Sequence, residues 1–145
     1  MCYYITGMIS KRSNMEYINM VATVFDMEFR RCKNRFVQAQ LESDEYYIRK
    51  YSEFCDCDTP LGLKRRKQPE LCHLKVDFQL ENWINFINII IVEKRLTDKF
   101  GILLHFYEDG KPEKEDIRIK ARKPVKATKS RLMNIEEDVL YVFGA

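Results

Sequence analysis

The chain has 145 residues, 46% of them hydrophobic and 32% charged, enough apolar material for one core that buries roughly two thirds of the unfolded surface. Its 25 Lys and Arg stand against 22 Asp and Glu, a net charge of +3. This excludes a strongly polybasic or polyacidic chain and leaves any polyanion site to local clustering. No basic region precedes the first apolar run, which Thr6 and Gly7 interrupt, and no apolar stretch reaches the ~20 residues of a membrane span. The expectation is one cytoplasmic domain, residues 1–145, with no membrane partner.

Cys2 to Ile9 is rich in β-branched and aromatic residues and predicts a central strand. Ser13 and Glu16 have capping-box spacing, and Tyr17, Ile18, Val21, Val24 and Phe25 recur at helical intervals, predicting a helix that ends near Phe29. A basic link, Arg30 to Arg35, leads to two predicted strands, Phe36 to Leu41 and Tyr46 to Tyr51, around Glu42-Ser43-Asp44. Ser52 to Val76 contains Pro60, Gly62 and Pro69 and reads as a long loop with a short helical turn. Asp77 then caps a helix whose stripe of Leu80, Trp83, Ile84, Ile87, Ile90 and Ile91 predicts burial of Trp83 and Ile87, with Gly101 as its stop. Ile102 to Tyr107 predicts a strand, turned by Glu108-Asp109-Gly110-Lys111 into the alternating Ile117 to Ala121. Pro124 marks that strand as an edge, and Val139 to Phe143 closes the chain as a short strand.

The order βαββαβ over residues 1–107 is that of a ferredoxin-like α+β core, an antiparallel sheet with two helices on one face, to which residues 108–145 add C-terminal edge strands. Right-handed crossovers place the first strand beside the third and antiparallel to it, with the fourth on its other side. Cys2 is thereby expected to approach Cys55 and Cys57, although more than fifty positions separate them. The fold itself names no activity.

Thiolates and imidazoles converging on one point can hold zinc. Cys2, Cys55, Cys57, Cys72 and His73 are the metal candidates, with His105 as a further imidazole. Cys-x-Cys departs from the usual Cys-x-x-Cys spacing, so inert packing and a reactive Cys55 or Cys57 stand as alternatives. An odd count of five cysteines argues against a disulfide framework. Lys64, Arg65, Arg66 and Lys67 form a basic run suited to phosphate or nucleic acid, and a second basic stretch runs from Arg118 to Arg131. No aromatic RNA-reading signature accompanies them, so weak, salt-sensitive association is the most they predict. Glu136-Glu137-Asp138 reads as a turn. No P-loop, dinucleotide fingerprint, Gly-x-Ser-x-Gly elbow or His-Glu-x-x-His helix occurs. A homodimer is compatible with the sequence.

Met1-Cys2-Tyr3-Tyr4, the segment Cys55-Asp56-Cys57-Asp58-Thr59-Pro60-Leu61-Gly62 and Ile135 to Tyr141 together resemble small uncharacterised bacterial proteins that open with Met-Cys and carry Cys-Asp-Cys-x-Thr-x-Leu-Gly. The resemblance implies a bacterial source and carries over no activity. The leading function is a non-enzymatic binding or regulatory domain with a metal at its cysteine end; the alternatives are a thiol-dependent enzyme using Cys55 or Cys57 and weak nucleic-acid binding through the basic loop.

Overall fold

β1 (Cys2–Ser10) is the strand about which the others are arranged. In the computed structural model, which describes residues 2–66, 73–108 and 111–144, β1 lies between β3 (Glu45–Lys50) and β4 (Lys99–Tyr107), antiparallel to both. The side chains of residues 65, 66, 73 and 74 are also outside the described set. β2 (Phe29–Arg31) pairs antiparallel with β3 on one side, and β6 (Val139–Gly144) pairs antiparallel with β4 on the other. β5 (Ala121–Val125) runs parallel to β6, giving an open six-stranded sheet in the order β2-β3-β1-β4-β6-β5. Mixed α/β architecture is therefore established, and its two last strands exceed a four-stranded core.

Both faces of the sheet are covered, and the alternation of β1 decides which residue goes where. Ile5 and Ile9 face α1 (Met15–Val24) and α4 (His73–Asn88), whose Ile18, Ala22, Leu80, Trp83 and Ile87 complete a core with Phe100, Ile102 and Leu104. Trp83 and Ile87 are 4% and 3% exposed, as their place in the apolar stripe predicted. Met8 faces the opposite way, into a second cluster with Tyr47, Leu103, Tyr107, Val37, Cys32 and Ile117. Where β1 crosses β4 the backbones nearly touch: a Cβ on Gly7 would lie 1.8 Å from the carbonyl oxygen of Gly101. Only glycine fits there.

Several boundaries differ from expectation, each for a tertiary reason. Asn14, not Ser13, caps α1, its side chain accepting from the Glu16 and Tyr17 N–H groups. α1 ends at Val24, and Asp26 at φ 59° turns the chain so that Phe29 enters β2 instead of prolonging the helix. The Phe36-Val37 stretch expected as a strand is helical, α2 (Arg35–Gln38). Asn34 caps it while its amide nitrogen donates to the carbonyls of Pro112 and Glu115, so a distant segment stabilises a helix that local preference for a strand would oppose.

α4 starts at His73, within the long loop expected from Ser52, and α3 (Leu63–Arg66) supplies the short helical turn. The α4 axis continues into a π-helical turn, Ile89–Glu93, after which Arg95 at φ 48° ends the helix well before Gly101. Gly101 is a strand residue of β4. Ile117 to Lys120 forms no hairpin strand; β5 begins at Ala121 and carries Pro124 on the sheet's outer edge, the position where a missing N–H is tolerated. α5 (Lys129–Met133) links β5 to β6.

Candidate metal centre at the cysteine end of the sheet

The pairing of β1 with β3 runs from Ser10 back to Thr6, opposite Arg49. Beyond it, the flank of β1 from Cys2 to Ile5 is taken by the segment around Asp56. The Asp56 N–H donates to the Tyr3 carbonyl at 2.7 Å, and the Ile5 N–H donates to Asp56 Oδ2 at 2.9 Å. Lys50 Nζ lies 3.0 Å from the other carboxylate oxygen, and Asp56 is 5% exposed. One carboxylate thus satisfies a strand N–H and a lysine ammonium that the end of β3 would otherwise leave without partners.

Fixing Asp56 fixes its neighbours. The Tyr3 N–H donates to Cys57 Sγ at 3.4 Å, and Cys55 Sγ and Cys57 Sγ lie 3.2 Å apart. With Cys2 they form a group whose three sulfur atoms lie within 4.8 Å of one another, all partly exposed. The meeting of Cys2 with Cys55 and Cys57 expected from topology is therefore present. Its electrostatics are asymmetric. Hydrogen bonding to Cys55 is the main cause that pushes the Cys2 thiol up to about 11, and hydrogen bonding with Cys2, then with Cys57, holds Cys55 below the usual thiol range. Cys55 therefore carries the thiolate first.

The other candidates separate. Cys72 and the side chain of His73 lie outside the described residues; the backbone of His73 opens α4. His105 is on β4 opposite Tyr4, with Nδ1 2.5 Å from Asp138 Oδ1 and Nε2 hydrogen-bonded to Glu115. Burial works to lower its pKa, but the two carboxylates outweigh it and hold the imidazole towards its charged form. Both ring nitrogens are thus engaged, and His105 is no member of the thiol group. Glu137 accepts from the Tyr3 hydroxyl, so the acidic turn before β6 serves these contacts.

Cys32, 5% exposed in the second core, has its thiol pushed up to about 12, chiefly by burial, which makes it an unreactive packing residue. Of the basic run, Lys64 is exposed on α3, Lys67 lies outside the described residues, and the side chains of Arg65 and Arg66 are likewise outside them. In the second basic stretch, Arg118 pairs with Asp116, Arg122 with Glu45 and Lys129 with Glu81. Three of those cations are committed to carboxylates.

Sequence reading missed two features. Asp56 was seen only as the residue between two cysteines, whereas it fastens their segment to β1. Glu45 was assigned no role by the sequence. It is fully buried, with Arg122 and Lys99 on its carboxylate, and it forms with Glu42 and Asp44 a second group of metal-type donors. Neither role has a local motif, because the partners lie far away in sequence.

Among the described residues no helix is long and apolar enough to cross a membrane. No family model matches the chain, and no curated protein or solved structure matches it either.

Proposed function

We propose that the chain is a non-enzymatic binding or regulatory domain built on a ferredoxin-like core, and that its cysteine end binds zinc through Cys2, Cys55 and Cys57. One observation carries this reading: three sulfurs from segments over fifty positions apart meet within 4.8 Å. In a tetrahedral site with Zn–S near 2.3 Å, sulfurs lie roughly 3.8 Å apart, so closing this group on an ion takes shifts of about 1 Å. The strand order β2-β3-β1-β4 supports the core assignment, with β6 and β5 added beside β4. A fourth ligand would come from Cys72 or His73, which the sequence places just before and at the start of α4, or from water.

Metal analysis after purification, followed by cobalt substitution, tests the reading. One zinc per chain, a cobalt spectrum with thiolate-to-metal bands, and loss of both in the Cys55→Ser and Cys57→Ser variants are expected. Sulfurs that bind neither ion, and that alkylate freely in the purified protein, would overturn it.

The depressed Cys55 thiol favours a second reading, a thiol-dependent enzyme with Cys55 as nucleophile and Cys2 and Cys57 as donors to its thiolate. A metal-free protein in which iodoacetamide modifies Cys55 selectively near neutral pH would select that reading.

A further inference from the structure

The segment from Lys111 to Lys120 forms neither helix nor strand, and it lies across the second core, where its Ile117 is 1% exposed. Side chains from other parts of the chain hold this strap down. Asn34 donates to the Pro112 and Glu115 carbonyls, and Gln40 donates to the Ile117 carbonyl while its Oε1 accepts from the Ile119 N–H. The third hold is His105 of β4, which bonds the Glu115 carboxylate. Of these three, only His105 exchanges a proton near neutral pH.

His105 has two carboxylates to serve. Its Nδ1 lies 2.5 Å from Asp138 Oδ1 and its Nε2 bonds Glu115, and all three side chains are between 17% and 20% exposed. An imidazolium has an N–H for each, whereas a neutral imidazole has one N–H and turns a lone pair towards the other carboxylate. Asp138 is the better anchored of the two: its N–H donates to the Leu104 carbonyl, and its own carbonyl accepts from the Lys120 N–H. The Glu115 carboxylate accepts, besides, from the exposed N–H of Glu108. Glu115 is therefore the side that gives way when the proton leaves. Also facing the imidazole are Tyr4, opposite it on β1, and Tyr107, whose ring lies 4.7 Å away, with Cys2 in register beside Tyr107. All three are held protonated above their ordinary ranges, and Arg49, over the Tyr4 ring, stays charged.

We propose that His105 is a proton-operated clasp on the strap: while protonated it joins Glu115 and Asp138, and on losing its proton it keeps Asp138 and releases Glu115, loosening the strap over the second core. The direction follows from the charges. Burial works to lower the imidazole pKa, but the two carboxylates outweigh it and raise it from the ordinary 6.5. A group raised in this way contributes its full hold below 6.5 and loses it as pH rises through the raised value.

Two measurements on the full chain test the clasp. NMR of the imidazole nitrogens, with His105 identified as the signal missing from His105→Gln, is expected to show a midpoint above 6.5. Trypsin cleavage after Lys114, an exposed residue of the strap, is followed as a rate divided by that of an unfolded peptide of residues 108–120 at the same pH. From about pH 6 to 9 this ratio is expected to rise by about threefold or more, within the worth of one hydrogen bond to a charged group. Glu115→Gln is expected to abolish the pH dependence. Asp138→Asn leaves Glu115 as the one carboxylate for the remaining N–H, so its ratio is expected to stay low up to about pH 9. Asparagine suits the φ of 61° at Asp138, so that variant keeps the turn. The thiols titrate in all of these proteins, so a difference between them belongs to the clasp. A midpoint at or below 6.5, a ratio that is flat in the parent, an equal rise in Glu115→Gln, or an Asp138→Asn variant that opens as the parent does would overturn the proposal.

Discussion

Two groups of metal-type donors sit on this sheet, and they differ in what neutralises them. At the cysteine end, Cys2, Cys55 and Cys57 hydrogen-bond among themselves and remain partly exposed. At the start of β3, Glu45 is fully buried, takes both guanidinium nitrogens of Arg122, lies 2.6 Å from Lys99 Nζ and accepts from the Glu42 N–H at 3.0 Å. Both contain donors close enough for one ion. Only the carboxylate group already has its cations, held in place by β4 and β5, so an ion there would compete with two fixed positive charges. Where two groups are equally close, the charge already present decides which of them can take a metal.

The largest effect should come from breaking the carboxylate side of this comparison. Glu45→Gln leaves Arg122 and Lys99 facing a neutral amide in a buried place, and removal of one partner from a buried ion pair costs about 3–5 kcal/mol. Urea unfolding monitored at Trp83 should show that loss. A change below about 1 kcal/mol would mean that the pair behaves as a surface pair.

The same residue predicts an acid limb. Burial works to raise the Glu45 pKa, but hydrogen bonds from Arg122 and Lys99 outweigh it and hold it at about 2, against an ordinary value of 4.5. A carboxylate depressed in the folded state stabilises fully above its unfolded pKa and loses that contribution as pH falls towards the folded one. Thermal stability should therefore decline between about pH 4.5 and 2 in the parent and decline less in Glu45→Gln. Parallel curves for the two proteins would remove Glu45 as the cause.

How much of this was legible follows from how local each cause is. The stripe of α4, the strands β1, β3, β4 and β6, and the approach of Cys2 to Cys55 and Cys57 follow from periodicity and chain order. The β2 strand was lost because its three residues, Phe29–Arg31, are shorter than any periodicity test, and α2 because Asn34 is held by Pro112 and Glu115. Glu45 was unreadable for the same reason. Its partners Lys99 and Arg122 lie 54 and 77 positions along the chain, and alternation alone cannot say which strands become neighbours.

The thiol side should respond to zinc far more than to mutation alone. In metal-free protein Cys57→Ser is a partly exposed change, expected within about 0.5 kcal/mol of the parent. With zinc at 100 times its Kd the parent should gain about 2.7 kcal/mol, and the variant much less. Equal gains in both proteins would place the zinc elsewhere.

The smallest effect concerns proton order within the metal-free thiol group. Cys2 is pushed up to about 11, first by its hydrogen bond to Cys55 and then by desolvation, while the same bond lowers Cys55. The two shifts are one interaction seen from its two ends: the Cys2 S–H donates, and a donor keeps its proton while the acceptor gives its own up. Iodoacetamide reacts with thiolates, so labelling at graded pH, resolved by peptide mass, should modify Cys55 before Cys2. Cys2→Ser keeps a donor and should leave the Cys55 profile nearly unchanged, whereas Cys2→Ala removes it and should move that profile to higher pH. If both variants shift Cys55 equally, the hydrogen bond is not the cause. If Cys2 is labelled before Cys55 in the parent, the asymmetry assigned to the cluster is reversed.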